Sequence, residues 1–261
     1  MQKRTDTPFL LSVLTFFSIL PLTAFSQGTA GSSAEIEPRY LIDFPTAGAM
    51  RKGNYSVDSR LEPGGGLVFG MNVGMSDRFS FGVSYGGSNV VGNGDPGWFS
   101  QPGINIRYRL YEETDQYPAM TFGLDFQGYG GWIDSTSRYV SKSPGLFFAA
   151  TKNYELLGYF ILTGGANYSI ERKDGDRDLN LYFGAEKTIN AEISAIAEYN
   201  FALNDNSPRS VGKGHGYLNA GIRWSVGSGL TLELNFKNLT DNINYVEPGG
   251  RAIRLEYTNF F

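Results

Sequence analysis

Leu230-Thr231-Leu232-Glu233-Leu234-Asn235-Phe236-Lys237 alternates apolar and polar side chains without a break. Neighbouring side chains of an extended strand point to opposite faces, so this stretch reads as a strand with one apolar face and one carrying Glu233 and Lys237. Thr121-Phe122-Gly123-Leu124-Asp125-Phe126 repeats the pattern. Followed outward in both directions, the period of two marks twelve segments: 55–61, 67–75, 79–85, 104–110, 120–127, 146–153, 160–170, 179–186, 191–201, 217–225, 230–239 and 252–261. In the sixth, the apolar run Leu146-Phe147-Phe148-Ala149-Ala150 hides the alternation and leaves the face of Lys152 open.

The connections sort by length. Residues 76–78, 187–190 and 226–229 are short turns, and the links 111–119 and 154–159 fall at the same end. At the opposite end lie the longer connections 86–103, 128–145, 202–216 and 240–251, together with the modest hairpins 62–66 and 171–178. An even number of alternating strands with short turns at one end and long loops at the other is the plan of an outer-membrane barrel. Closure satisfies every backbone hydrogen bond in lipid, which an open edge cannot do. A secreted β-sandwich also alternates, but it gives no reason for loops to sort by length. The expected fold is therefore all-β: a single closed antiparallel transmembrane β-barrel of about twelve strands, spanning residues 53–261.

Composition agrees with that plan. The 261 residues are 41% hydrophobic and only 18% charged, with 34 glycines and no cysteine. An ordinary soluble domain carries roughly 25% charge and ~7% glycine. Zero cysteine excludes disulfide scaffolds, thiolate metal sites and a catalytic thiol, and the single His215 excludes multi-histidine metal sites. A net charge of −4 offers no basic excess for nucleic acid. At the N-terminus, Lys3 and Arg4 precede an apolar run, and Ala24-Phe25-Ser26 supplies small residues where a signal peptidase reads. The run is broken by Ser12, Thr15, Ser18 and Pro21 and falls short of a membrane anchor. Residues 1–26 are thus expected to be a signal peptide and 27–52 a periplasmic N-terminal segment, with the barrel in a Gram-negative outer membrane.

Ile253, Leu255, Tyr257 and Phe261 share one alternating face at the extreme C-terminus, with Asn259 interrupting the series. This pattern resembles the C-terminal recognition signal of outer-membrane proteins, which implies an assembly role for Tyr257 and Phe261 and the barrel assembly machinery as a partner. Aromatic residues cluster near both strand ends: Phe79, Tyr108, Trp224 and Phe261 at the turn end, and Tyr85, Phe126, Tyr168, Tyr199 and Phe201 at the loop end. Amphipathic rings favour the headgroup level, so outer-membrane lipid is the expected surrounding of these belts.

With the apolar faces in lipid, the polar faces line the lumen. They supply Asp58, Asp125, Glu171, Glu186, Glu192, Glu198, Glu233 and Glu256, facing Arg60, Arg107, Arg109, Lys152, Arg223, Lys237 and Arg254. So even a balance suggests paired ions crossing a narrow bore rather than the single-sign ring of a selective pore. Arg107, Arg109 and Arg223 are expected to pair with carboxylates such as Asp125, Glu198 and Glu233.

Catalytic and cofactor motifs are weak. A barrel hydrolase needs a His beside Ser or Asp, and His215 lies in Gly212-Lys213-Gly214-His215-Gly216, with Asp205 and Ser210 of the same loop as candidates to approach it. It reads as a loop residue. Asp174-Gly175-Asp176-Arg177-Asp178 begins like a calcium loop, but Leu179 and Ala185 replace the Gly and Glu that such a loop requires, and a hairpin turn fits better. Glu62-Pro63-Gly64-Gly65-Gly66 and Val91-Gly92-Asn93-Gly94-Asp95 lead into no helix and read as turns rather than phosphate cradles. No enzyme activity, cofactor or metal is expected.

Before the first strand, Leu41-Ile42-Asp43-Phe44-Pro45-Thr46-Ala47 and then Gly53 resemble the opening of the YjbH family of exopolysaccharide-associated outer-membrane proteins, over about residues 41–85. The resemblance implies a part in polysaccharide secretion or envelope assembly and carries over no catalytic residue. The leading expectation is a non-enzymatic envelope barrel with a structural or interaction role. A narrow channel for small solutes or glycans is the alternative, and a hydrolase using His215 comes third.

Overall fold

The computed structural model describes residues 37–261. The expected signal peptide and the first part of the N-terminal segment lie outside the described residues. In chain order the strands are β1 (Asn54–Glu62), β2 (Gly66–Gly74), β3 (Phe79–Ser88), β4 (Gly97–Trp98), β5 (Gly103–Tyr111), β6 (Ala119–Asp125), β7 (Tyr129–Ile133) and β8 (Arg138–Ser141). The second half contributes β9 (Gly145–Glu155), β10 (Tyr159–Tyr168), β11 (Asn180–Thr188), β12 (Ile193–Asn200), β13 (Tyr217–Gly227), β14 (Leu230–Lys237) and β15 (Gly250–Phe260).

Twelve of these close into one antiparallel barrel. Sequential neighbours pair from β1 round to β15, skipping β4, β7 and β8, and β15 returns to β1 in a register from Asn54↔Phe260 to Leu61↔Ile253. The twelve segments read from periodicity correspond one for one to these strands. Their outer faces expose Val57, Phe69, Met71, Phe81, Ile104, Phe122, Phe148, Phe183, Ile222, Leu234 and Leu255, while the alternate residues are buried polar and charged groups. Apolar outside and polar inside is the inverse of a soluble fold and defines a transmembrane barrel of the outer-membrane type.

Two features of the long loops were not legible in the period. β4 adds a two-residue strand to the loop end of β3, and β7 and β8 form a separate hairpin inside the long connection between β6 and β9. The ambiguous sixth segment is settled as well: Lys152 faces inward, and its Nζ bonds the Thr114 and Asp115 carbonyls at the tight-turn end.

Candidate functional site: the occupied lumen

The bore is filled by the chain's own N-terminal segment. Residues 39–46 form a hairpin, with Leu41 N donating to Phe44 O at 2.9 Å and Thr46 N to Arg39 O at 3.0 Å. Its two arms meet at the tight-turn end, where a Cβ on Gly48 would stand 2.2 Å from Pro38 O, so only glycine lets them approach. Gly53 N then donates to Gly74 O at 3.1 Å and leads the chain into β1. Residues 39–50 of the segment expected in the periplasm thus sit inside the barrel, all of them buried, while Arg51 and Lys52 are exposed.

A backbone taken out of water must find partners, and here the barrel wall supplies them. The Glu198 carboxylate accepts the N–H groups of Ile42, Asp43 and Phe44 at 3.0, 2.8 and 2.8 Å. Arg223 donates to Tyr40 O at 2.9 Å and Leu41 O at 3.0 Å, and Arg60 to Ile42 O at 2.8 Å. Tyr182 donates to Pro45 O at 2.8 Å, Thr121 to Ala47 O at 2.6 Å, and Arg107 to Thr46 O at 3.2 Å and Gly48 O at 3.1 Å. Ala47 N donates to Thr151 Oγ1 at 2.9 Å. These donors and acceptors come from β1, β5, β6, β9, β11, β12 and β13, so the hairpin is gripped from most of the circumference.

Small residues on the inner face make the room. A Cβ on Gly184 would lie 2.5 Å from Leu41 Cδ1, and one on Gly165 would lie 2.2 Å from the Tyr182 hydroxyl that holds Pro45. Leu41, Ile42 and Phe44 complete the tip by packing on Tyr182 and Ile196. Beside Tyr40 a cavity of about 30 Å³ remains, bounded by Asp58, Asn72, Asn105, Tyr129 and Arg254. That is the share of liquid volume of a single water.

The expected lumen charges divide into three groups. Glu186, Arg223, Glu233, Arg254, Glu256 and Asp58 form a chain along the wall. Arg223 pairs with Glu186 and, at 2.8 Å, with Glu233; Arg254 reaches Glu256 at 2.9 Å, Glu233 at 3.9 Å and Asp58 at 4.0 Å. Arg60, Lys237, Asp125, Glu198 and Arg107 instead hold the hairpin. Arg60 pairs with Asp43, Lys237 lies 3.0 Å from the same carboxylate, and Asp125 accepts the Tyr40 hydroxyl at 2.7 Å. Arg109 stands at the tight-turn mouth with Glu37 and, at 3.0 Å, Glu112.

Several expectations need correction. Arg107 pairs with no carboxylate among the described residues; it bonds backbone carbonyls and lies over the rings of Tyr40 at 4.6 Å and Phe147 at 5.3 Å. Arg109 and Glu198 likewise find partners in the N-terminal segment rather than in one another. Glu192 is exposed and outside the bore, because the turn in which Ile189 N bonds Ile193 O ends the alternation before it. Glu171 lies in the loops beyond the strands. The groups that sequence reasoning missed are Arg39, Asp43 and Glu62, each buried and ion-paired. Their one signal was the row of inward-facing small residues, such as Ser56, Thr121, Ala149 and Thr163, which leave volume that something must fill.

The long loops fold into a cap at the other end. Val140, Ala202, Val211, Tyr217 and Ile243 cluster beneath it. Fully buried Arg138 binds Asp174 at 2.7 Å and both oxygens of Asp205, the second at 2.9 Å, and Lys142 lies 2.7 Å from Asp174. The Asp174–Asp178 stretch is therefore a turn whose first carboxylate is spent on cations, with Gly175 at φ +95°. Burial pushes the Glu171 carboxyl up to about 7, against hydrogen bonds from Tyr139 N, Ser143 N and Ser143 Oγ. His215 is exposed in its loop, where its carbonyl accepts the Tyr199 hydroxyl at 2.6 Å. Tyr257 is on the outer wall, and Phe261 lies beyond the end of β15 with its ring 5.0 Å from Tyr55.

The geometry so far defines a closed, internally plugged transmembrane β-barrel. No family model matches the chain and no curated protein matches it, so the YjbH resemblance gains no support. Solved structures similar in outline include a KdgM porin, at 7% identity and TM-score 0.47 over 80% of this chain and 99% of that one. A NanC porin matches at 9% and 0.44 over 79% and 99%, and the outer membrane channel DcaP of Acinetobacter baumannii at 8% and 0.30 over 79% and 95%. The fold assignment rests on the closed strand ladder rather than on these alignments.

Proposed function

We propose that the protein is a non-enzymatic outer-membrane channel for small polar solutes or glycans, resting in a state closed by its own N-terminal hairpin. The observation that supports this reading is the chemistry of the grip: a tethered segment fills the bore mainly through hydrogen bonds and ion pairs to the wall. Water or a hydroxyl-rich solute offers Arg60, Arg107, Arg223, Thr121 and Tyr182 the same acceptors that the hairpin's carbonyls offer now. Exchange of hairpin for solute then conserves hydrogen bonds, so the cost of opening stays small.

A permanently sealed envelope barrel with a structural or interaction role is the second reading, favoured by the folded cap at the loop end. The two separate in one experiment. Because the chain has no cysteine, Ala47→Cys with Thr151→Cys adds the only thiols, at neighbouring positions on hairpin and wall. Liposomes holding this protein should admit small sugars before treatment with a short bis-maleimide and exclude them after it. Exclusion in both states would favour the sealed barrel.

A further inference from the structure

The hairpin joining β10 to β11 gathers exposed cations at the loop end of the barrel. Arg172, Lys173 and Arg177 are exposed on it, as is Arg209 from the next loop, whose Nη2 would stand 3.7 Å from a Cβ on Gly175. The aspartates between these cations are turned inward: Asp174 is held by Arg138 and Lys142, and Asp176 accepts Asn206 N at 2.8 Å and Ser207 N at 3.2 Å. Asp178 is the one exposed carboxylate of the turn. Among the described residues none of the four cations is in an ion pair; Arg172 donates to the Tyr168 hydroxyl at 2.8 Å with its guanidinium 5.3 Å from that ring's centre, and Lys173 donates to Ser137 Oγ at 3.0 Å. The connection between β3 and β5, by contrast, carries Asp95 and no Lys or Arg.

Directly below the cations the same strands turn apolar side chains outward, past the end of their ladder. The last pair, Asn167↔Asn180, faces the lumen, which puts Ile170 and Leu179 on the outer wall, 58% and 56% exposed. Phe201 and Leu203 continue that wall, held beside it by Phe201 N to Leu181 O and Leu203 N to the Asn180 side chain, both at 3.0 Å. Two residues of extended chain, about 7 Å, separate Ile170 from Arg172. An apolar wall with unpaired guanidinium forks one short step above it matches an amphiphile whose phosphate sits just above its acyl chains.

We propose that this hairpin is a binding site for a phosphorylated lipid of the outer leaflet, with phosphate held among Arg172, Lys173, Arg177 and Arg209 and acyl chains against Ile170, Leu179, Phe201 and Leu203. The site is independent of whether the bore opens. It is tested with the full-length protein in phosphatidylcholine nanodiscs containing trace bisphosphorylated lipid A or the same lipid with its phosphates removed, read by native mass spectrometry after detergent release. At least tenfold more phosphorylated than dephosphorylated lipid should stay bound. The surface variant R172Q/K173Q/R177Q, which leaves the lumen contacts in place, should erase that preference, and Ile170→Ser with Leu179→Ser should reduce retention without it. Equal retention of both lipids, or a triple variant as selective as the wild type, would overturn the proposal. So would capture of soluble dextran sulfate by the same cations without any lipid preference, since the patch would then serve an extracellular polyanion.

Discussion

Glu198 on β12 accepts the backbone N–H of Asp43 at 2.8 Å, while the Asp43 side chain meets Arg60 on β1 and, at 3.0 Å, Lys237 on β14. The tip of the hairpin is thereby fastened through both its backbone and its side chain to three strands of the wall. The same Glu198 oxygen also takes the N–H groups of Ile42 and Phe44, and Asn219 holds its other oxygen at 3.0 Å. One carboxylate thus satisfies three backbone donors that no water reaches, which makes Glu198 the residue on which closure depends most.

Removing it should loosen the hairpin without unravelling the barrel. Each buried donor left unpaired costs about 1–3 kcal/mol, so Glu198→Ala should raise hydrogen exchange at Ile42, Asp43 and Phe44 by tenfold or more. Glu198→Gln, which keeps an acceptor oxygen, should fall between. Exchange at these amides unchanged in Glu198→Ala would show that the grip lies elsewhere.

The cap depends on Arg138 in the same way. Arg138→Met leaves Asp205 buried without its cation and Asp174 with Lys142 alone, a loss of typically about 3 to 5 kcal/mol for a desolvated pair. Limited proteolysis should then cut the loops between β6 and β9 and between β12 and β13, while heat-modifiable migration of the barrel persists. A cap as resistant as the wild type would contradict the assignment of Arg138 as its centre.

Glu171 gives the cap a pH dependence of definite sign. Burial raises its carboxyl from the ordinary 4.5 to about 7, so the closed cap binds a proton more tightly than the opened loop does. The stability from this group is complete below pH 4.5 and declines as pH rises through 7. Proteolytic nicking of residues 128–144 should therefore increase from pH 5 to pH 8 in the wild type and stay flat in Glu171→Gln. A slope of the opposite sign would rule out a raised carboxyl.

At the C-terminus, Phe261 is 85% exposed and its ring lies 5.0 Å from Tyr55, at the seam where β1 meets β15. A polar residue there would remove an aromatic from the membrane interface and from the assembly signal proposed for the last strand. Phe261→Ser should lower the amount of barrel recovered from outer membranes, and normal recovery would count against that role.

The barrel was legible because its information is local. Alternation such as that of Leu230 to Lys237 follows from the period of two, and the antiparallel closure of β15 on β1 follows from having an even number of such strands. The face of most lumen charges followed too, but not that of Lys152, where an apolar run hides the alternation, nor that of Glu192, where the rule was carried past a strand end. The plug was not legible. Residues 39–46 have no hydrophobic period, and what holds them is Glu198, about 155 positions away, acting on backbone atoms that every residue possesses. Arg107 was misread for the same reason: its partners are the carbonyls of Thr46 and Gly48, which no pattern of side-chain charges reveals.

Closure by a releasable hairpin is tested most directly by single-channel recording in planar bilayers, with the protein as isolated from outer membranes and its Glu198→Ala variant side by side. The wild type should be silent for most of the record, with rare openings, and Glu198→Ala should be open at least ten times as often at the same unit conductance. A wild type that conducts steadily, or a variant as silent as the wild type although its hairpin amides exchange freely, would contradict the account.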